Sequence, residues 1–117
     1  MTEVTEPAID AVTIDAVLSA LADPVRLTFV RALDAAGDWT CGSDVLKNTG
    51  VTIGKSTLSH HIKVLREAGL IRTRVDGIRR LATLRYDEVE RRFPGLLSML
   101  REHGPASTAT RAPTSTT

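Results

Sequence analysis

The chain has 117 residues, 42% hydrophobic and 3% aromatic, enough for one domain with a core built mainly from Leu, Val, Ile and Ala. Its one cysteine, Cys41, excludes an intrachain disulfide, and no apolar run approaches the roughly 20 residues of a membrane helix. Net charge is only +1, but residues 1–23 carry Glu3, Glu6, Asp10, Asp15 and Asp23 without a base. Residues 55–85 instead carry Lys55, Lys63, Arg66, Arg72, Arg74, Arg79, Arg80 and Arg85 against Glu67 and Asp76. Such a block is either a solvated face or a surface for phosphates. The acidic N-terminus lacks the layout of a secretory signal, so a cytoplasmic protein without a membrane partner is expected.

Residues 1–8 read as disordered. Ile9, Val12, Val17, Leu18 and Leu21 then sketch one amphipathic helix, with Ile14 able to join the same face. Asp23-Pro24 starts a second helix, through Val25, Leu27, Phe29, Val30 and Leu33 to near Gly37. Trp39-Thr40-Cys41 is a short extended piece. A short helix from Gly42 or Ser43 reaches about Asn48, and Asn48-Thr49-Gly50 turns the chain.

The stretch Gly54–Leu70 is the most informative. Leu58, Ile62, Leu65 and Ala68 recur at helical spacing, while Ser56, Ser59, His60, Lys63 and Glu67 gather on another face. Gly54 is the expected cap, Ile53 and Leu58 the expected staple, and Gly69 the stop. The reading is a helix with one packing side and one side that lays small donors and a lysine into a DNA groove. Residues 70–75 alternate as a strand, Asp76-Gly77 signals a hairpin, and Arg79–Leu84 returns. From Asp87 a helix runs to Phe93, where Pro94 breaks it; Leu96, Leu97 and Leu100 continue an apolar face to about His103. Residues 104–117 read as a disordered tail. The fold expected over 9–103 is therefore mainly α with a two-stranded β-wing, a winged helix-turn-helix.

The sequence resembles the ArsR/SmtB family of bacterial repressors. The resemblance is carried by Leu21-Ala22-Asp23-Pro24-Val25-Arg26-Leu27 and by Ser56–Ile71, with the Asp76-Gly77 hairpin and Arg79 following in place. It implies a homodimer, paired through its first and last helices, that binds an inverted repeat in double-stranded DNA and is released by an effector, often a metal ion. Val12, Val17, Leu18, Leu96, Leu97 and Leu100 are the expected dimer contacts. Two reading helices about one axis would enter major grooves about 34 Å apart. Ser56, Thr57, Ser59 and His60 are the expected base or phosphate contacts. Lys55 and Lys63 would supply charge, and Arg79 and Arg80 would reach phosphates or the minor groove.

Other motifs point less far. Adjacent His60 and His61 diverge by about 100° on a helix and chelate poorly; His60 lies on the polar face and His61 on the packing face. Gly50 to Ser56 imitates a phosphate loop, but three residues separate its glycines where four are needed. Metal-sensing relatives carry a Cys-x-Cys pair; Cys41 matches the first cysteine, and Ser43 stands where the second belongs. Asp87, Glu90, Glu102 and His103 do not reproduce the spacing of the family's other metal site. No metal and no cofactor are expected. Cys41 is either a small buried residue or, in the alternative of a responsive repressor, a redox-sensitive thiol or metal ligand. No nucleophile, base and orienter fall into a catalytic pattern, so an enzyme is not expected. A winged helix used only as a protein-interaction module is the alternative of a different class.

Overall fold

The computed structural model describes residues 2–4 and 6–104. In chain order the elements are β1 (Thr2–Val4), a 3-10 turn (Ile9–Ala11), α1 (Ile14–Leu21), α2 (Pro24–Ala36), β2 (Thr40–Cys41) and α3 (Gly42–Val45). Then follow α4 (Lys55–Glu67), β3 (Ile71–Asp76), β4 (Arg79–Leu84), α5 (Tyr86–Arg92) and α6 (Leu96–Glu102).

Capping chemistry sets most helix boundaries. Thr13 Oγ1 accepts from the Ala16 amide at the start of α1. Asp23 Oδ1 accepts from the amides of Val25 and Arg26, Pro24 takes the first position of α2, and Gly37 at φ 75° closes it. Gly54 caps α4, as its sequence suggests. At the other end Gly69 sits at φ 87°, where its amide donates to the Arg66 carbonyl and that of Leu70 to the Leu65 carbonyl. These are the two bonds of a Schellman motif, and Leu65 and Leu70 are both fully buried beneath it. Glu90 caps α6 by accepting from the amides of Gly95, Leu97 and Ser98.

The predicted hairpin forms, with Asp76 opposite Arg79 and a two-residue loop of Gly77 and Ile78. Gly77 at φ 66° takes the first loop position, where a tight hairpin needs positive φ. The sheet is broader than the two strands expected. Its order is β1-β3-β4-β2, all antiparallel, with Thr2 opposite Val75 and Cys41 opposite Leu81. The expectation of disorder over 1–8 therefore does not hold for Thr2–Val4, which covers the free edge of β3 with a backbone ladder. The tail expected from 104 lies outside the described residues from 105 onward.

The single first helix expected from Ile9 is also corrected. The chain makes one 3-10 turn, extends at Val12 and Thr13, and only then starts α1. The extension lets Val12 drop against Gly69, so closely that a Cβ built on Gly69 would lie 2.2 Å from Val12 Cγ2. The third helix ends at Val45 rather than near Asn48. The core is aliphatic around Phe29: Val17, Val30, Leu33, Leu65, Leu70, Ile71, Val89 and Leu97 are sealed from solvent. It joins α1, α2, α4 and the hairpin, fixing α4 on the body of the domain.

Candidate nucleic-acid interface

The amphipathic pattern of α4 divides as expected. Leu65 and His61 face the core, with Leu58 and Ile62 half-buried beside them. Lys55, Ser56, Thr57, Ser59, His60 and Lys63 are all exposed. Successive residues turn by about 100°, so Lys55, Ser56, Ser59, His60 and Lys63 form one outward stripe, while Thr57 stands on the flank away from the hairpin. The stripe starts at the helix N-terminus, where free amides and the helix dipole favour an anion. Arg79 and Arg80 open β4 at the wing and are exposed. Ile78, beside them at the tip, is 100% exposed.

His61 has a structural partner. Arg26 Nη1 lies 3.2 Å from His61 Nδ1, and Arg26 Nε donates to the Ala20 carbonyl at 2.8 Å. Since a guanidinium can only donate, Nδ1 accepts and the ring proton belongs on Nε2. Asp23 stands at the same place, its carboxyl held below its ordinary pKa by the Arg26 amide first, with smaller help from the Val25 amide and the charge of Arg26. The pair ties α2 to α4 on the side opposite the exposed stripe. The rings of His60 and His61 are 5.9 Å apart, but only His60 faces solvent.

The basic block is not uniformly available. Arg85 is buried at 5% exposure and bonds to Glu88 Oε1 and to the carbonyls of Pro7 and Gly69. Arg72 pairs with Glu6 and Glu88. Arg74 stacks its guanidinium 4.1 Å over the Trp39 ring. Arg66 is largely covered by its surroundings and has only a 3.9 Å pair with Glu67. Of the eight bases, Lys55, Lys63, Arg79 and Arg80 are the exposed ones. They all belong to α4 or the wing.

The expected dimer contacts split. Val12, Val17 and Leu97 are buried inside the protomer, so they cannot form a surface for a second copy. Leu18 is 52% exposed, and Leu96 and Leu100 are half-buried. Ile14, one turn before Leu18, and Met99, 50% exposed on α6, are exposed apolar residues that the expected contact set omitted. Their helical spacing from Leu18 and Leu96 was the available signal.

Cys41 is half-buried, with Sγ 3.2 Å from Ser43 Oγ. The Ser43 hydroxyl, then its amide, pull the thiol below its ordinary pKa; desolvation and Asp44 oppose this and Arg79 assists. Among the described residues no three His, Cys, Asp or Glu side chains are grouped to hold a metal ion, and no helix is long and apolar enough to cross a membrane.

Comparison with known proteins follows the same lines. Residues 21–74 match the helix-turn-helix domain family. Over 85 residues the chain is 39% identical to an uncharacterized HTH-type transcriptional regulator, YceK of Bacillus subtilis (strain 168), spanning 72% of this chain and 82% of that protein. Its structure is similar to that of the transcriptional repressor BigR from Xylella fastidiosa, at 25% identity and a TM-score of 0.58 over 80% of this chain and 88% of that one. It is also similar to a crystal structure of an ArsR family transcriptional regulator, at 22% identity and a TM-score of 0.58, covering 77% of this chain and 90% of the other; this likeness concerns the fold.

Proposed function

We propose that this chain, which belongs to the HTH-type transcriptional regulators, is of the ArsR type and acts as a homodimeric repressor of an inverted-repeat operator. The family regulates transcription, and its members are not enzymes. The observation that carries the reading is the segregation on α4: every predicted contact residue is exposed, and the exposed cations of the basic block lie there or on the neighbouring wing. Residues 9–103 serve as one unit for DNA binding and dimerisation. Ser56, Ser59 and His60 read base edges, Thr57 touches the flanking backbone, Lys55 and Lys63 hold phosphates, and Arg79 and Arg80 reach phosphates along the adjacent minor groove. Ile14 and Leu18 of α1, with Leu96, Met99 and Leu100 of α6, meet a second copy. That pairing sets two α4 helices about 34 Å apart. The dimer works in the cytoplasm by occluding the promoter, as expected of a repressor.

The test combines sedimentation with DNA binding to fragments of the protein's own promoter. The protein should sediment as a dimer and prefer its promoter over random DNA at physiological salt. Leu18→Glu should give a folded monomer with at least tenfold weaker operator binding. A wild-type monomer, or equal affinity for all DNA, would overturn the reading.

A second reading rests on Cys41. Its thiol is acidified by Ser43 and lies between the helix-turn-helix and the wing, where oxidation would alter the contact to Ser43. Peroxide should then weaken operator binding by wild type and leave Cys41→Ser unaffected; equal responses would eliminate it.

A further inference from the structure

Between α4 and the inner face of the hairpin lies a cavity of about 100 Å³. On the helix side it is bordered by Ser59, Ile62, Lys63 and Arg66, which share the flank of α4 turned toward the wing. Alternation along β3 puts Thr73 and Val75 on this face, with Arg80 opposite Val75 on β4. Arg74 also borders the cavity, although it lies on the other side of the pleat with its guanidinium on Trp39. Gly42 belongs to the wall, and a Cβ there would come 3.1 Å from Ile62 Cδ1.

Two side chains on this face hold buried polar atoms that the fold does not use, besides the Arg74 Nε on the other side of the pleat. The hydroxyl of Thr73 is buried, with the residue 8% exposed, and has no hydrogen-bond partner. Nε of Arg66 is buried and unpartnered as well. Buried donors without acceptors are costly and are rarely left so in a finished structure. Around them stand Lys63, Arg66 and Arg80, and no carboxylate borders the cavity. A water could satisfy Thr73; a tetrahedral oxyanion would satisfy Thr73 and the Arg66 Nε together, attracted by the exposed cations Lys63 and Arg80 at the rim. The volume is too small for a nucleotide and large enough for one tetrahedral anion.

We infer that this cavity is a seat for a single phosphate-type oxyanion, held between α4 and the wing by Thr73, Arg66, Lys63 and Arg80. The occupant is either a phosphate of the DNA backbone or a free inorganic anion; both offer the acceptors and the charge that the wall lacks. The DNA source rests on the proposed DNA-binding role, the free anion does not. In either case the anion bridges the reading helix and the outer half of the hairpin, the two elements that meet the duplex.

The test has two arms. In the first, inorganic phosphate is titrated into the free protein at constant ionic strength, with chloride as control, and backbone amide shifts of Thr73, Arg66 and Arg80 are followed. Saturable shifts in wild type, weakened at least tenfold in Thr73→Val and kept in Thr73→Ser, support a free anion. In the second, duplexes carry one neutral methylphosphonate at each position in turn. A position that costs wild type about tenfold in affinity and costs Thr73→Val nothing further supports the DNA phosphate. If Thr73→Val does not fold, Arg66→Met takes its place in both arms. The seat is overturned if phosphate gives no saturable shift and no methylphosphonate position couples to either variant, while the protein still binds DNA in a salt-dependent way. Saturable phosphate binding by a protein that binds no DNA would instead keep the seat and overturn the DNA-binding role.

Discussion

Arg79 offers the cleanest measure of how this surface meets a duplex. It is exposed on the wing, has no ion pair among the described residues, and its removal leaves the core untouched. If Lys55, Lys63, Arg79 and Arg80 of each protomer neutralise one phosphate apiece, a dimer engages about eight, and log K should fall against log salt with a slope near −7. Between 50 and 200 mM salt that is a loss of about 10⁴ in affinity. Arg79→Ala removes two contacts from a dimer, so the slope should shrink by about 1.8, and the same salt change should cost about 2 × 10³. A monomeric complex would change by only about 0.9, so one experiment also reads the stoichiometry. Fluorescence anisotropy with a promoter duplex and a random duplex at five or six salt concentrations gives both slopes. An unchanged slope in Arg79→Ala would remove the wing from the phosphate surface. A large loss on the promoter alone would show base reading instead.

Two further outcomes concern the frame that presents this surface. Gly69→Ala must adopt positive φ, at about 1–2 kcal/mol, and must push its methyl into Val12, at about 1–3 kcal/mol more. Its urea midpoint should fall by about 1–2 M, and Val12→Ala in the same chain should recover part of the loss; strictly additive effects would mean that the two do not touch. Glu88→Gln should lose about 1.5–3 kcal/mol at pH 7, because its carboxylate is the charged partner of buried Arg85. Hydrogen bonding from Arg85, followed by the charges of Arg85 and Arg72 against a desolvation penalty, holds the Glu88 pKa below its ordinary value. Its contribution is therefore complete above the ordinary glutamate value and disappears as pH falls through the depressed one. Acid titration of unfolding should be shallower in Glu88→Gln than in wild type; parallel curves would contradict the pairing.

What could be read from the sequence was what local chemistry decides. The 3.6-residue spacing of α4, its glycine at each end, Asp23-Pro24 and Asp76-Gly77 each determine their own backbone, so the helix-turn-helix and the wing were legible. So was the division between His60 and His61, because one residue step turns the side chain from solvent to core. Strand β1 was not, since three residues carry no pattern and exist only through a partner on β3; the extended piece at Thr40–Cys41 was legible, but its pairing with β4 was not. The break at Val12 was hidden for a related reason: an apolar residue at helical spacing looks the same whether it continues a helix or leaves it to cover a glycine 57 positions later. Charge misled most. Eight bases looked like one surface, but Arg72, Arg74 and Arg85 are held by Glu6, Glu88 and Trp39, contacts made across the fold. Arg85 followed by Glu88 three residues on was the one local hint. Val17 and Leu97 were likewise given to a partner copy, because an apolar stripe does not say which molecule covers it.

Arg85 gives the reading head its mechanics. Its guanidinium joins the carbonyl that ends α4, the entry segment at Pro7 and the first turn of α5, and its own amide donates to the Leu70 carbonyl where β3 begins. Both roots of the hairpin and the tail of α4 are thus clamped at one rivet. Adjustment to a groove falls to the loop at Gly77 and Ile78, and a signal arriving through α5 would turn helix and wing together rather than bend one against the other.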